Sequence, residues 1–268
     1  MRRARAAAGA LAFCFVWAAA SHGAVEPRAQ SSVATEALGL VTLAERIAKL
    51  HAQIGQGLLV ERSRRDLAQA LRQFDAGLRA VSAQVTSPEA RDTYVLLAAL
   101  WREHRDWVAR PPSREGARQM RERTEELAWI AQKGARMVQG DARATVNAGA
   151  FRAAQAGLLA QRIAKACLWR RWGMRDERLE KERRESDENL DRLLAALRSG
   201  RGNTPEIEGE LQTAETQLRF LRESARELDA GRSAPRAIEF VAKSADHILE
   251  SMARVARLYE EGAPGAGS

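Results

Sequence analysis

The sequence contains few of the residues that build disulfide-bonded, metal-binding or β-rich proteins. Of its two cysteines only Cys167 lies beyond the N-terminal region, so no internal disulfide is expected, and we predict a small core residue there. The four histidines do not lie at ligand spacing and no Cys-x-x-Cys-His occurs, which excludes covalently attached haem and gives a predicted metal site no support. No cofactor is predicted. Glycine and proline are scarce inside the predicted helical units, and no segment alternates polar with apolar residues.

The only long uncharged stretch is at the N-terminus. Arg2, Arg3 and Arg5 precede a run of small and apolar residues from 6 to 20, and Ala24 suits the last position before a cleavage site. The run is shorter than the ~20 residues of a membrane span. Residues 1–24 are therefore predicted to be a Sec-type signal peptide and 25–31 a linker, and the mature chain is expected to be soluble in a bacterial periplasm.

Charge of one sign is not concentrated anywhere in the mature chain. Removing the three arginines of the predicted signal peptide lowers the formal net charge from +8 to +5. Arginines and acids are interspersed, as on solvated helix faces with i,i+4 ion pairs. Nucleic acid is not a predicted partner of an exported protein, whereas contact with an anionic surface or partner remains open.

Apolar residues recur at steps of three and four, which predicts α-helices packed at a shallow angle. The longest such run is Ile238, Val241, Ala245, Ile248, Met252, Val255 and Tyr259. Ser87-Pro88-Glu89 and Thr204-Pro205-Glu206 each offer a capping hydroxyl, a proline at the first helical position and an acid. The predicted fold class is all-α.

A seven-residue motif occurs twice. Leu43–Lys49 reads Leu-Ala-Glu-Arg-Ile-Ala-Lys, and Leu159–Lys165 repeats six of the seven residues at an offset of 116. Gly57 and Gly173 share this offset. An internal repeat predicts two tandem antiparallel four-helix bundles related by duplication. The predicted units are residues 32–140 and 141–261, followed by a loose tail at 262–268.

The course of the chain at Gly57 and Gly173 allows two interpretations. If the chain turns there, the first unit has four helices. Their predicted ranges are 32–56, 60–84, 88–109 and 114–139. If it does not turn, each unit opens with one helix of ~50 residues, or about 75 Å. We favour the turn, because a glycine costs an exposed helix ~1 kcal/mol and recurs at the same place.

The motif has cationic side chains beside its buried face. With Ile47 and Leu50 in the bundle seam, Arg46 flanks the core and Lys49 points further out, and Arg162 and Lys165 repeat this arrangement. In the first interpretation the arginine stems cover apolar neighbours and their heads remain in water. In the second, arginines on facing helices hold a small oxyanion, because guanidinium groups brought together without a counter-charge would cost stability.

The motif also carries a family resemblance. Together with Phe74-Asp75 and Leu190-Asp191 some thirty residues later, it resembles the PilJ-type domain, the N-terminal sensory domain of type IV pili chemotaxis transducers, which is related to the nitrate/nitrite sensor domain of NarX-like kinases. The similarity covers residues 33–260. It implies periplasmic helical-bundle sensing modules, often homodimers.

The chain departs from the family pattern at the arginine that grips the anion in nitrate sensors. That residue lies five positions before the motif arginine, where this chain has Val41 and Gly157. Asn147-Ala148-Gly149, part of the family pattern, lies about one helical turn out of place, and in that register Arg152 supplies the arginine. The resemblance therefore implies anion contacts at Arg46 and Arg162, supported by Lys49, Lys165 and Arg152.

The remaining residues give no sign of an enzyme. No nucleophile–base pair, phosphate loop or paired-carboxylate pattern is present. His104 is predicted to be a buried, hydrogen-bonded histidine. Packing in the core or at an interface is likewise predicted for Trp101, Trp107, Trp129, Trp169 and Trp172. Two hypotheses follow: a sensor-like module that binds a small anion and reports to a membrane-bound, chemotaxis or pilus protein, or a structural adaptor without a small-molecule ligand.

Overall fold

The computed structural model describes residues 32–140, 146–230 and 235–262. Within these ranges there are eight α-helices and no strand, which confirms the all-α class. The helices are α1 Val33–Gly55, α2 Val60–Gln84, α3 Pro88–Val108, α4 Gly116–Gly140, α5 Ala148–Arg171, α6 Glu177–Arg198, α7 Pro205–Asp229 and α8 Pro235–Glu261. The predicted signal peptide and linker, and the tail beyond Gly262, lie outside the described residues.

Capping side chains set several helix starts. Ser87 Oγ accepts a hydrogen bond from the amide of Ala90 at 3.1 Å, and Thr204 Oγ1 accepts one from Ile207 at 3.3 Å. A proline follows each cap at the first helical position. Each hydroxyl satisfies an amide that the first helical turn leaves free. The capping prediction is confirmed at both positions.

The chain turns at both glycines. Gly57 and Gly173 have φ values of +70° and +96°, a conformation that side chains with a Cβ rarely adopt. Helix α1 therefore ends at Gly55 and α5 ends at Arg171. The alternative of one ~50-residue helix is wrong, because the left-handed residue reverses the chain.

Helices α1 and α5 form the centre of the molecule and pack against each other. Helix α1 also packs on α2 and α4, and α5 packs on α6 and α8. Helix α3 packs mainly on α4, and α7 mainly on α8. Buried apolar side chains from all eight helices form one contiguous core. The two motif helices are therefore enclosed by neighbours on several sides.

The outer helix pairs touch only lightly and are joined by polar clamps. Between α2 and α3, Asp75 accepts hydrogen bonds from Trp101 Nε1 at 2.7 Å and from Arg105 at 2.8 Å. Between α6 and α7, Asp191 accepts one from Arg222 at 2.7 Å. Both aspartates come from the Phe-Asp and Leu-Asp positions noted in the sequence.

No helix in the described part of the chain has both the length and the apolar character needed to cross a membrane.

Candidate functional site

The two copies of the motif meet where α1 packs on α5. Glu45 of α1 accepts a hydrogen bond from Arg162 Nε at 2.9 Å, and its other oxygen lies 2.5 Å from Lys165 Nζ. Glu182 of α6 lies 3.2 Å from Arg162 and 3.4 Å from Lys165. We call Glu45, Arg162, Lys165 and Glu182 the first charge cluster. Its two cations are both matched by carboxylates of the same chain.

The electrostatics of Glu45 follow from these contacts. The side chain is buried, which by itself would raise its pKa by penalising the charged form. Lys165 and then Arg162 outweigh this effect and lower the pKa of Glu45 to about 2. Glu45 therefore stays ionised in the core and neutralises the second copy of the motif.

A second charge cluster, formed by Arg46, Lys49, Gln161 and Asp246, joins α1 and α5 to α8. Lys49 donates a hydrogen bond to Asp246, and Arg46 Nε lies 4.0 Å from the same carboxylate. Gln161 Nε2 donates to the carbonyl of Ala245 at 2.9 Å and to Asp246 at 3.4 Å. Burial would raise the pKa of Asp246, but the contact with Lys49 lowers it below its usual value.

The structure brings four of the five predicted anion contacts into these clusters and separates the fifth. Arg152 is exposed on α5 and lies ~15 Å along the helix from Arg162. The prediction that Lys49 and Lys165 point outward is wrong: their side chains are 0% and 1% exposed. Both lysines are buried because α1 and α5 have neighbouring helices on several sides. The single apolar stripe in each sequence predicts only one buried face.

The positions that hold an arginine in the PilJ-type family are packed here. Val41 is fully buried in the core. Gly157 lies against α8, where a Cβ would approach Leu249 Cδ1 to 2.9 Å. A long cationic side chain has no room at either position, because the helices approach too closely. Any anion site in this chain would therefore have to use other residues.

The first charge cluster forms the floor of an open cleft between α4 and α6. The cleft has a volume of about 360 Å³. Its walls carry side chains of both signs and one large aromatic ring. They are formed by Glu125, Trp129 and Gln132 of α4 and by Arg178, Lys181, Glu182 and Glu185 of α6. Trp129 is 60% exposed, so it does not pack in the core, and its packing at an interface stays a prediction. Arg162, whose side chain is 17% exposed, reaches solvent in this cleft.

Two histidines are buried in the first half of the molecule. His51 and His104 are both buried, His104 as predicted, but neither ring nitrogen of His104 has a hydrogen-bond partner among the described residues, so the hydrogen-bond prediction is wrong. Burial lowers the pKa of His51 to about 4 and that of His104 to about 3. Both side chains are therefore neutral at physiological pH.

The reactive and metal-ligating side chains of the described residues do not form a site. Cys167 is buried as predicted, and burial raises the pKa of its thiol to about 11. Among the residues that the structure describes, no three metal-ligating side chains lie close enough to hold an ion.

The acidic partners of the motif were not predicted from the sequence. Glu45 lies inside the motif itself, at the one position where the two copies differ. Asp246 lies inside the longest apolar run, between Ala245 and Ile248. An acid embedded in such a run is a signal for a buried partner, since an unpaired carboxylate is costly in a core. Glu182 gives no such signal, because α6 carries many other acids.

Comparisons with known proteins do not identify a relative: no family model, no curated protein and no solved structure matches this chain. The PilJ-type resemblance therefore stays a prediction.

Proposed function

We propose that this chain is a helical adaptor, a bundle that presents its surface to another protein and whose repeated motif joins its own helices. One observation carries the proposal. Each of the four motif cations lies within 4.0 Å of a carboxylate of the same chain. The oxyanion hypothesis relied on cations without counter-charges, and an incoming anion would have to displace Glu45, Glu182 or Asp246.

We further infer that the chain is one four-helix unit used twice. Three pairs of features at nearly constant offset support this. They are the left-handed turns at Gly57 and Gly173, the caps at Ser87 and Thr204, and the clamps Asp75–Arg105 and Asp191–Arg222. In each half the first helix packs on the second and fourth, and the third packs on the fourth. A shared ancestor unit explains why these unrelated details recur together.

The predicted signal peptide sets where the adaptor would work. We propose that the mature chain is exported to the periplasm, acts there without catalysis, and contacts a membrane-bound signalling protein of a chemotaxis or pilus system. A homodimer is a further arrangement that the family resemblance supports.

The second candidate function is the sensor-like binding module. It is favoured by the cleft between α4 and α6, because Arg162 and Lys165 lie on its floor and the exposed Trp129 lies at its wall. Exposed aromatic rings beside charged groups are common in ligand sites. A small anion could enter here if Glu182 moved away from Arg162.

Thermal unfolding with added oxyanions separates the two candidates. The full mature chain would be heated with nitrate, nitrite, sulfate or phosphate, and an adaptor should show no rise in Tm specific to one anion. A specific rise that is lost in Arg162→Gln would contradict the adaptor proposal and support the sensor. Arg152→Gln is the matched control, because Arg152 lies outside both clusters.

A paired replacement tests the structural role of the motif. Lys49→Met alone leaves Asp246 buried without its main partner, and we expect a loss of about 3–5 kcal/mol in the free energy of unfolding. Adding Asp246→Leu should restore most of the loss, because both charges are then absent. If the double variant folds but no longer engages its partner, the cluster has a role in recognition and the structural interpretation is wrong.

A further inference from the structure

Helix α2 carries an arginine stripe on its outer face. Arg65, Arg72 and Arg79 recur every seven residues and all three are exposed. Within the described part of the chain, none of them makes an ion pair or a hydrogen bond. The neighbouring arginines differ, since Arg62 pairs with Asp66 and Arg64 pairs with Glu61. The arginines of α2 without a partner among the described residues are therefore the three that lie in one row along the helix.

The stripe has a defined length and little bulk between its charges. Seven residues of helix advance ~10.5 Å, so the three arginines span ~21 Å. Beside them lie four exposed alanines and one exposed glutamine, namely Ala68, Gln69, Ala76, Ala80 and Ala83. Two acids share this face: Glu61, which pairs with Arg64, lies one turn before Arg65, and Asp75, which pairs with Arg105 of α3, lies between Arg72 and Arg79. Small side chains allow another backbone to approach closely, while the arginines remain long enough to reach across.

We propose that the arginine stripe docks an acidic α-helix of a partner protein that has carboxylates at heptad spacing. Charge complementarity favours carboxylates, because a guanidinium group binds them through two parallel hydrogen bonds. The spacing favours a helix. Positions seven apart drift by ~20° per heptad on a straight helix, and a second helix follows that drift by supercoiling, whereas an extended strand does not.

The residues of the stripe do not suit a membrane surface equally well. Anionic lipids attract exposed cations without any requirement for register. A helix that lies in a membrane interface also inserts large apolar side chains, and α2 exposes none. The regular spacing is therefore explained by a partner helix and not by a lipid surface.

The inference deepens the adaptor proposal by naming the chemistry of its partner, and it rests on that proposal. The equivalent face of α6, at the offset of 116, has Lys181, Glu188 and Ala195. Lys181 is paired with Glu185. The stripe is thus a property of the first half, and a partner helix would distinguish the two halves.

A designed peptide tests the proposal directly. The probe is a labelled, helix-forming peptide of four heptads with glutamate at one heptad position, and its control has the same composition with the glutamates irregularly spaced. Binding to the full mature chain would be followed by fluorescence anisotropy at low ionic strength. We expect the regular peptide to bind, and the triple variant Arg65→Gln/Arg72→Gln/Arg79→Gln to bind it about tenfold more weakly.

The control variant is Arg62→Gln/Arg64→Gln, which removes two arginines of the same helix that already have partners and should leave peptide binding unchanged. Equal binding of both peptides, or equal loss in both variants, would overturn the proposal. So would binding to phosphatidylglycerol vesicles that depends on the stripe while the peptide does not bind. Failure of the adaptor proposal has a different readout, namely a rise in Tm with one oxyanion that depends on Arg162.

Discussion

The two copies of the motif have nearly the same sequence but form different contacts. In α1 the copy has Glu45, and its Lys49 pairs with Asp246 of α8. In α5 the copy has Gln161, and its Lys165 pairs with Glu45 and Glu182. The one differing position explains the difference: Glu45 neutralises the α5 cations, whereas Gln161 donates to the backbone of α8. The two copies, which differ by one carboxylate and one amide, therefore do not make equivalent contacts.

The largest expected effect comes from making the two copies alike. Glu45→Gln leaves Lys165, whose side chain is 1% exposed, with Glu182 as its only carboxylate among the described residues. We expect the free energy of unfolding to fall by about 3–5 kcal/mol in urea denaturation, because a buried charge loses its main partner. Glu185→Gln is the matched control. Its ion pair with Lys181 is exposed, so its loss should be about 0.5 kcal/mol or less.

Acid should destabilise the protein first through its two buried histidines. The folded-state pKa values of His51 and His104, about 4 and about 3, lie below the ordinary 6.5, so the stability they contribute is present above pH 6.5 and is lost as pH falls. Each histidine accounts for up to ~1.4 kcal/mol per pH unit in that range. The lowered pKa of Glu45 adds a further loss between pH 4.5 and about 2.

Unfolding free energies measured from pH 7 to pH 5 in His51→Leu and His104→Met check this prediction, because each replacement should flatten the decline. The exposed His247 provides the control as His247→Gln. An unchanged slope in both buried-histidine variants would show that another group governs the acid response.

The clamps of the outer helices should differ in strength. Asp75 receives hydrogen bonds from both Trp101 and Arg105, whereas the more exposed Asp191 receives one from Arg222. We expect Asp75→Ala to cost about 1–3 kcal/mol, because it leaves the indole N–H without an acceptor, and Asp191→Ala to cost under ~1 kcal/mol. Urea denaturation of both variants measures the difference, and a larger loss for Asp191→Ala would contradict it.

The smallest expected difference in stability is between alanine replacements at the two glycine turns. Gly57→Ala should cost about 1 kcal/mol for the left-handed conformation alone, because nothing lies within 4 Å of the added methyl group. Gly173→Ala adds an approach of 2.5 Å to Arg114 Nη2, so we expect a slightly lower Tm than for Gly57→Ala. A reversed order would mean that Arg114 moves without cost.

Much of the fold was predictable from local signals. The range predicted for α2 was 60–84, as found, and α1, α3 and α4 agree within two residues. Proline after a capping hydroxyl fixes a helix start by chemistry that needs no tertiary contact. The turns at Gly57 and Gly173 were also predictable from a local signal, because glycine adopts the left-handed conformation without help from tertiary contacts.

The charge clusters were not predictable, because they depend on which helices become neighbours. Periodicity marks one buried face of α1, but α1 has neighbouring helices on several sides, and Lys49 is buried as well. Nothing local to Lys49 indicates that Asp246, nearly two hundred residues away, is its partner. Long-range pairing of this kind requires the topology to be known.

The single buried thiol of α5 gives experimental access to the core. Cys167 is 6% exposed and reacts as a thiolate, which its raised pKa makes scarce at neutral pH. An alkylating reagent should therefore modify the described part of the chain only during excursions in which α5 parts from its neighbours. Its labelling rate reports how often the centre of the bundle opens, without any engineered probe.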